Sequence, residues 1–205
     1  MQNLSRRFLL AMAGVAALSL AACNKGGGAS GAASGDMTLG DPNAKVKMVE
    51  YASVTCSHCA AFNNDVFPAF KAKYIDTGKV HYTFRELLTP PEPTAAAGFL
   101  VARCAGKDKY FNVVDALFKN QQDIVVGGDP RGSLLRVAQS AGMTEPQFNA
   151  CVEDSAALEA LGKRVEQANA AGVSSTPTFF INGKKVKEGE MTLAELDAAV
   201  AEASK

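Results

Sequence analysis

The chain has 205 residues, of which 47% are hydrophobic and 20% are charged, values typical of a soluble globular protein. It carries 21 basic and 21 acidic residues, so its formal charge is zero and no basic surplus indicates a nucleic-acid partner or an anionic membrane surface. Length and composition together suit one domain, or one domain that carries a large insertion.

The first 22 residues have the anatomy of an export signal. Arg6 and Arg7 give a positive start, and the segment Phe8–Ala22 is apolar, uncharged and too short to span a membrane comfortably. It ends in Leu-Ala-Ala-Cys at Cys23, which resembles the lipobox of bacterial lipoproteins, whose cysteine is acylated. The alternative is ordinary cleavage beside an unrelated cysteine, and the paired arginines fit either general or twin-arginine export.

Residues 23–36 are predicted to be a flexible tether. Their composition is dominated by glycine, alanine and serine, with little apolar surface to bury. The glycines do not predict a phosphate-binding loop, because no hydrophobic strand precedes them and no Lys-Ser or Lys-Thr follows. With Cys23 assigned to lipid, four of the five cysteines remain, and an even number permits two disulfides in an oxidising compartment. We therefore expect a periplasmic protein held to a membrane through its lipid.

A β-α-β unit is predicted first in the mature chain. The strand Val46–Ala52 leads into the sequence VTCSHCA at residues 54–60, and apolar residues then recur at three- and four-residue steps. The motif therefore opens an amphipathic helix with Cys56 in its first turn. A turn at residues 76–79 and an alternating strand through Phe84 complete the unit.

A helical block and a second β-containing part follow. Three prolines in residues 88–94 interrupt the pattern, and from there to about Ala171 the periodicity predicts helices only. Strand signals return at Thr178–Ile181 and Lys184–Val186, joined by an Asn-Gly turn, and a capping box at Thr192 starts a last helix.

This order predicts a helical insertion inside an α/β domain. Neither β-containing part could close a sheet alone, so two consecutive domains explain the order less well. Residues 37–88 and 172–205 are assigned to one domain, and residues 89–171 to the inserted helical domain.

The Cys-x-x-Cys motif, Cys56–Cys59, could serve haem attachment, a zinc site, a hydrolase dyad or redox chemistry. Haem attachment needs a histidine where Ala60 stands. Structural zinc needs two further ligands, and Cys104 and Cys151 lie far apart on separate predicted helices. A histidine between two cysteines on one turn is poorly oriented for a hydrolase dyad. Redox chemistry is the remaining interpretation, and we expect neither a metal nor a cofactor.

Cys56 is expected to be the activated thiol. In the first turn of a helix its sulfur lies near unpaired backbone N–H groups and the positive end of the helix dipole, which favour the thiolate and lower its pKa. His58 adds a positive charge when protonated, whereas Cys59, one turn deeper on the apolar side, should keep its proton. Stabilising the thiolate stabilises the reduced form, so the disulfide becomes a stronger oxidant.

The motif, the helical block and the sequence GVSSTPTFFINGK at residues 172–184 together resemble the DsbA-like thiol oxidoreductases of the thioredoxin superfamily. The resemblance extends over about residues 38–203. It implies a thioredoxin fold with a central mixed sheet and an inserted all-helical domain. It also implies that Pro177 is cis and lies beside the active disulfide, and that Thr176 contacts bound peptide, the alternative being that Thr176 only fills space.

Further residues take roles from the same resemblance. An acidic residue, here Glu50, stands on the strand before the motif in DsbA-like proteins, where its carboxylate could exchange a proton with Cys59. The alternative is an ordinary solvent-facing glutamate. Some DsbA-like proteins carry an additional disulfide in the helical block, which implies the pair Cys104–Cys151, the alternative being two separate buried thiols.

The resemblance implies an oxidase that donates its disulfide to folding exported proteins with cysteines and is restored by a DsbB-like membrane oxidase. An isomerase or reductase of the same fold is one alternative, because such proteins also carry threonine before the proline, as at Thr176. Isomerases of this kind usually need a dimerisation module, which the tether does not supply, so a monomer is expected. A non-catalytic lipoprotein, stapled by both cysteine pairs and binding a partner through its helical block, is the second alternative.

Overall fold

The computed structural model describes residues 35–205. The expected signal at residues 1–22 and the expected lipid attachment at Cys23 lie outside the described residues. Asp36, the last residue of the predicted tether, forms an ion pair with Arg85 at 2.8 Å (Oδ2 to Nη2). The chain is therefore fixed to the sheet one residue before its first strand.

A five-stranded mixed sheet has the order β1-β3-β2-β4-β5. Its strands are β1 (Met37–Leu39), β2 (Val46–Ala52), β3 (Val80–Glu86), β4 (Thr178–Ile181) and β5 (Lys184–Glu188). The central strands β2 and β3 are parallel, and all other neighbours pair antiparallel. Both central strands are buried along almost their whole length, as expected for strands covered on two faces. The predicted strand β2 has the observed bounds, whereas the three-residue β1 was not predicted.

The helix that begins at the motif alternates between two helical forms. The α-helical segments α1 (Ser57–Ala61) and α2 (Phe67–Phe70) alternate with wider π-helical turns at Phe62–Val66 and Lys71–Ile75. Pro68 stands at the start of α2, where it has no N–H to donate to the preceding turn, which is consistent with a widened turn just before it.

The helical insertion contains six helices within the described residues. They are α3 (Glu92–Cys104), α4 (Lys107–Lys119), α5 (Gln121–Val125), α6 (Pro130–Ser140), α7 (Glu145–Val152) and α8 (Ser155–Ala170), and α9 (Leu193–Ala203) follows the second pair of strands. The capping boxes predicted before α7 and α9 are formed. One cluster of buried side chains runs from the sheet into the insertion, so the two parts share a core. No helix in residues 35–205 is both long and apolar enough to cross a membrane.

A buried carboxylate at the end of β3 joins the insertion to the sheet. The side chain of Glu86 is fully buried and accepts hydrogen bonds from Arg103 on α3 at 2.6 Å and from Arg164 on α8 at 2.7 Å. The hydroxyl of Tyr110 on α4 donates to the same carboxylate at 3.0 Å. Because a buried carboxylate is stable only when it is well paired, three helices of the insertion are held to one strand end.

The structure links Cys104 and Cys151 by a disulfide. The sulfur atoms lie 2.07 Å apart and the Cα atoms 6.2 Å apart, joining the end of α3 to α7. The remaining described cysteines, Cys56 and Cys59, are both free thiols.

Candidate active site

The two thiols lie where β2 passes into α1, at the carboxyl end of the central parallel strands. Cys56 has extended backbone geometry and is the N-cap residue of α1, and its N–H donates to the carbonyl of Ser53 at 3.1 Å. The helix is then started by the N–H of Ala60, which donates to the carbonyl of Cys56 at 3.1 Å. Cys59 points to the buried side and has no exposed surface. The motif therefore presents one half-buried sulfur and one fully buried sulfur.

The Cys56 thiolate is strongly favoured. Its pKa is lowered from 9.0 to about 5, mainly because the thiol of Cys59 hydrogen-bonds to it. Partial burial opposes this change, and the side chain of Thr176 and the backbone N–H groups of Cys59 and His58 support it. The expected contribution of the first-turn N–H groups is therefore present, but the neighbouring thiol is the largest cause.

The pKa of Cys59 is shifted in the opposite direction to that of Cys56. Burial raises its pKa well above the usual 9.0, and the hydrogen bond with Cys56 and the negative charge there raise it further. The charge of Glu50 acts in the same direction. At neutral pH the reduced pair therefore carries one thiolate, on Cys56, and one proton, on Cys59.

The loop before β4 forms the facing wall of the site. The peptide bond between Thr176 and Pro177 is cis, and Pro177 is buried. In its protonated form Cys56 donates to the carbonyl of Thr176, with sulfur and oxygen 3.4 Å apart. The hydroxyl of Thr178 donates to the carbonyl of Ser175 at 2.7 Å and so holds the loop in place.

Glu50 lies in the middle of β2 and is buried, so it is not the solvent-facing glutamate of the alternative interpretation. The hydroxyl of Tyr82 on β3 donates to its Oε2 at 2.6 Å. Burial raises the carboxyl pKa from 4.5 to about 8; the hydrogen bond from Tyr82 opposes this, and the charge of Cys56 adds to it. The carboxyl is thus mostly protonated at pH 7. Tyr82 was not among the site residues predicted from the sequence.

His58 faces solvent, and its side chain pairs with Glu190. The imidazole is 71% exposed, and its Nδ1 contacts Oε1 of Glu190 in the connection between β5 and α9. Glu190 raises the His58 pKa, first through the hydrogen bond and then through its charge. The sequence offered no signal for this partner, because the two residues are 132 positions apart.

The helical insertion also contacts the active-site loop. The side-chain amide of Gln121, the first residue of α5, donates to the carbonyl of Val54 at 2.8 Å and to that of Cys56 at 2.9 Å. These two carbonyls flank the turn into the motif, so Gln121 satisfies them and fixes the turn. Gln121 was not predicted as a site residue, because helix α5 is too short to show a period in the sequence.

The site is suited to two-electron thiol chemistry. A low-pKa sulfur at the surface can attack or leave, and a buried sulfur within reach can close the disulfide. In residues 35–205 no group of three or more histidine, cysteine, aspartate or glutamate side chains is placed to hold a metal ion.

Relatives of known sequence share the motif-bearing region. A protein of Rickettsia bellii, named as a protein-disulfide oxidoreductase by inference, is 33% identical over 167 residues, which are 80% of this chain and 63% of that protein. Disulfide bond formation protein D of Bacillus subtilis is 25% identical over 159 residues, or 75% of this chain and 70% of that protein. The chain spans 59–63% of the length of the Rickettsia bellii and Rickettsia felis relatives.

Solved structures confirm the predicted thioredoxin fold. The crystal structure of alpha-DsbA1 from Wolbachia pipientis is 29% identical, with a TM-score of 0.75 over 84% of this chain and 92% of that one. Oxidised BdbD from Bacillus subtilis has the same TM-score at 22% identity, over 86% and 96% of the two chains, and shows the fold alone.

The family model described as Thioredoxin matches residues 32–202. Because this match covers most of the chain, the protein belongs to the thioredoxin family.

Proposed function

We propose that the protein is a thiol:disulfide oxidoreductase that donates its Cys56–Cys59 disulfide to folding exported proteins. The observation that carries this proposal is the opposite displacement of the two thiol pKa values, one to about 5 and the other well above 9.0. A thiolate that is stabilised in the reduced protein makes the corresponding disulfide a good oxidant. The DsbA-like structures and the disulfide-forming relatives support the same chemistry.

The first step is attack of a substrate thiolate on Cys56. A substrate–Cys56 bond forms, the Cys56–Cys59 bond breaks, and the electron pair leaves on Cys59. Because Cys59 is buried, its thiolate takes a proton, and the Glu50 carboxyl, protonated at pH 7, is placed to supply it. Glu50 is then ionised and regains its proton from solvent.

The second step releases the product. Another substrate thiolate attacks the substrate sulfur of the mixed disulfide, and Cys56 leaves as a thiolate because its pKa is low. The substrate dithiol has lost two electrons, and the pair holds them as one thiolate and one thiol. In this proposal Thr176 and Pro177 bind the substrate backbone beside Cys56, and His58 tunes the charge there.

The remaining assignments complete the proposal. The chemistry belongs to residues 37–88 and 172–205, the helical domain of residues 89–171 is inserted between them, and Cys104–Cys151 is structural. The protein is exported by the signal at residues 1–22, is lipid-anchored in the periplasm through Cys23 and the tether, and acts as a monomer. A DsbB-like membrane oxidase restores the disulfide.

The test combines a glutathione redox equilibrium, read by alkylation and disulfide mapping, with refolding of reduced and scrambled ribonuclease. We expect Cys56–Cys59 to be reduced readily while Cys104–Cys151 stays intact, and the oxidised protein to rescue reduced ribonuclease. A Cys56→Ser, Cys59→Ser variant, which keeps the second disulfide, is the matched control and should be inactive.

Two results would contradict the proposal in different ways. Rescue of scrambled ribonuclease alone would identify an isomerase. A Cys56–Cys59 disulfide that resists glutathione as firmly as Cys104–Cys151 would indicate a stapled binding protein without redox activity.

A further inference from the structure

We propose that Tyr82 is a positioning residue, whose hydroxyl holds one carboxyl oxygen of Glu50 beneath the active-site pair so that Glu50 can exchange a proton with Cys59. This inference rests on the proposed function, because it concerns the proton that the buried sulfur gains and loses. It adds a second side chain to the proton-exchange step.

Sheet register brings Tyr82 and Glu50 to the same face. In the parallel pairing of β2 with β3, Met48 stands opposite Tyr82 and Glu50 opposite Phe84. Since side chains alternate along a strand, Met48, Glu50 and Tyr82 share one face of the sheet. Tyr82 and Glu50 are both 2% exposed, and the hydroxyl donates to Oε2 at 2.6 Å.

Aromatic neighbours hold the Tyr82 ring in place. Its centroid lies 4.9 Å from that of Phe67 on α2 and 6.1 Å from that of Phe111 on α4. A ring packed between two elements offers its hydroxyl in one position only, so the hydrogen bond also orients the carboxyl. Among the side chains of residues 35–205, Tyr82 is the hydrogen-bond partner of Glu50.

The charges around the carboxyl make this hydrogen bond consequential. Burial, and then the charge of Glu50, raise the pKa of Tyr82 well above 10.0, so its hydroxyl keeps the proton and remains a donor at working pH. Donation to a carboxylate favours the ionised form and holds the Glu50 pKa down against burial. The titratable groups that face Glu50 or its donor are Cys56 and Cys59 on the motif, Tyr82 on β3 and Tyr110 on α4. The residue paired with Glu50 on β4 is Phe179, which is apolar.

Proton exchange at Cys59 should therefore depend on the Tyr82 hydroxyl. When the disulfide re-forms, the Cys59 thiol must lose its proton, and an ionised Glu50, whose charge acts on Cys59, is the group proposed to accept it. Without the hydroxyl, Glu50 would be protonated to higher pH and its carboxyl would no longer be fixed. Re-oxidation would then require higher pH.

Tyr82→Phe removes only this hydroxyl and keeps the packed ring. The Glu50 pKa is measured by carbon NMR of protein labelled at the glutamate carboxyl carbons, and the re-oxidation of the reduced pair by oxidised glutathione is followed by quenched alkylation between pH 6 and 9. We expect both the pKa and the midpoint of the rate profile to rise by about 1 pH unit, the size typical of a hydrogen bond to a charged group. The rate at pH 7 should fall roughly tenfold.

Tyr51→Phe is the matched control. Tyr51 is a buried tyrosine on β2 whose hydroxyl accepts from Arg85 at 2.9 Å instead of contacting Glu50. The Tyr51→Phe substitution should leave the Glu50 pKa and the pH profile of the re-oxidation rate unchanged. In a Glu50→Gln background, Tyr82→Phe should have no further effect on the profile, because no carboxyl remains to be held.

Three results would overturn the inference: an unchanged Glu50 pKa in a folded Tyr82→Phe protein, an equal shift in Tyr51→Phe, or a full effect of Tyr82→Phe in the Glu50→Gln background. Because the re-oxidation assay uses glutathione and no protein substrate, a failure of this inference can be distinguished from a failure of the proposed function. A shifted profile in a protein that fails to oxidise ribonuclease supports the role of Tyr82 and contradicts the donor function. A wild-type pair that is inert to glutathione contradicts both.

Discussion

Replacing Glu50 by glutamine should stabilise the reduced protein by an amount that depends on pH. The carboxyl has a pKa of about 8 in the folded protein against the usual 4.5, because it is buried. Between these values the unfolded chain is ionised there and the folded chain is not, so the folded state binds more protons and loses stability as pH rises. The loss is about 1.4 kcal/mol per pH unit, or about 3 kcal/mol at pH 7, and it levels off near 5 kcal/mol above pH 8.

Glutamine keeps the shape of the side chain and an oxygen for Tyr82, and it does not ionise. The measurement is urea unfolding from pH 4 to 8, followed by circular dichroism, in a Cys56→Ser, Cys59→Ser background. That background needs no reductant, so Cys104–Cys151 stays intact, and the charge it removes is only a minor cause of the Glu50 shift. Glu50→Gln should match its parent near pH 4 and exceed it by about 3 kcal/mol at pH 7. Parallel stability curves over this range would refute the reasoning.

Two further predictions concern the second disulfide and the exposed ion pair. Replacing Cys104 and Cys151 by alanine opens a loop with a sequence separation of 47 and should lower the free energy of unfolding by about 4 kcal/mol on the chain-entropy model. Urea unfolding measures this free energy, and a loss under about 1 kcal/mol would contradict the model. Glu190→Gln should return the raised His58 pKa towards 6.5, which proton NMR can measure with His81 as the internal control. An unchanged His58 pKa in this variant would show that the pair does not form in solution.

Elements with local signals were predictable from the sequence. The strand Val46–Ala52 carries an uninterrupted β pattern. Each capping box, at Thr144 and at Thr192, depends on two residues only three positions apart. Strand β1 and helix α5 were missed because three and five residues are too short to show a period. The roles expected of the two thiols also follow from local features, namely a helix start and the apolar side of its first turn.

Contacts that depend on register and docking were not predictable in the same way. Alternation indicates that Glu50 and Met48 share a face of β2, but nothing in the sequence sets β2 against β3 so that Tyr82 meets Glu50. Glu190 and Gln121 reach the site from a distant connection and from the insertion, respectively. His58 shows the consequence: its place in the motif was evident, but the direction of its ring follows from a partner far along the chain.

A carboxyl that destabilises the fold is consistent with the proposed chemistry, because burial brings its pKa towards that of a thiol. Burial also raises the Cys59 pKa well above 9.0, so a glutamate at its usual 4.5 would be separated from that thiol by far more than four pH units, whereas a carboxyl at about 8 lies about 3.5 units nearer to it. A smaller difference between the two pKa values means a smaller thermodynamic barrier to proton transfer, so the raised Glu50 pKa favours proton exchange with Cys59 as the pair is reduced and re-oxidised. Burial that costs the fold about 3 kcal/mol at pH 7 is thus the same burial that makes Glu50 a competent partner for Cys59.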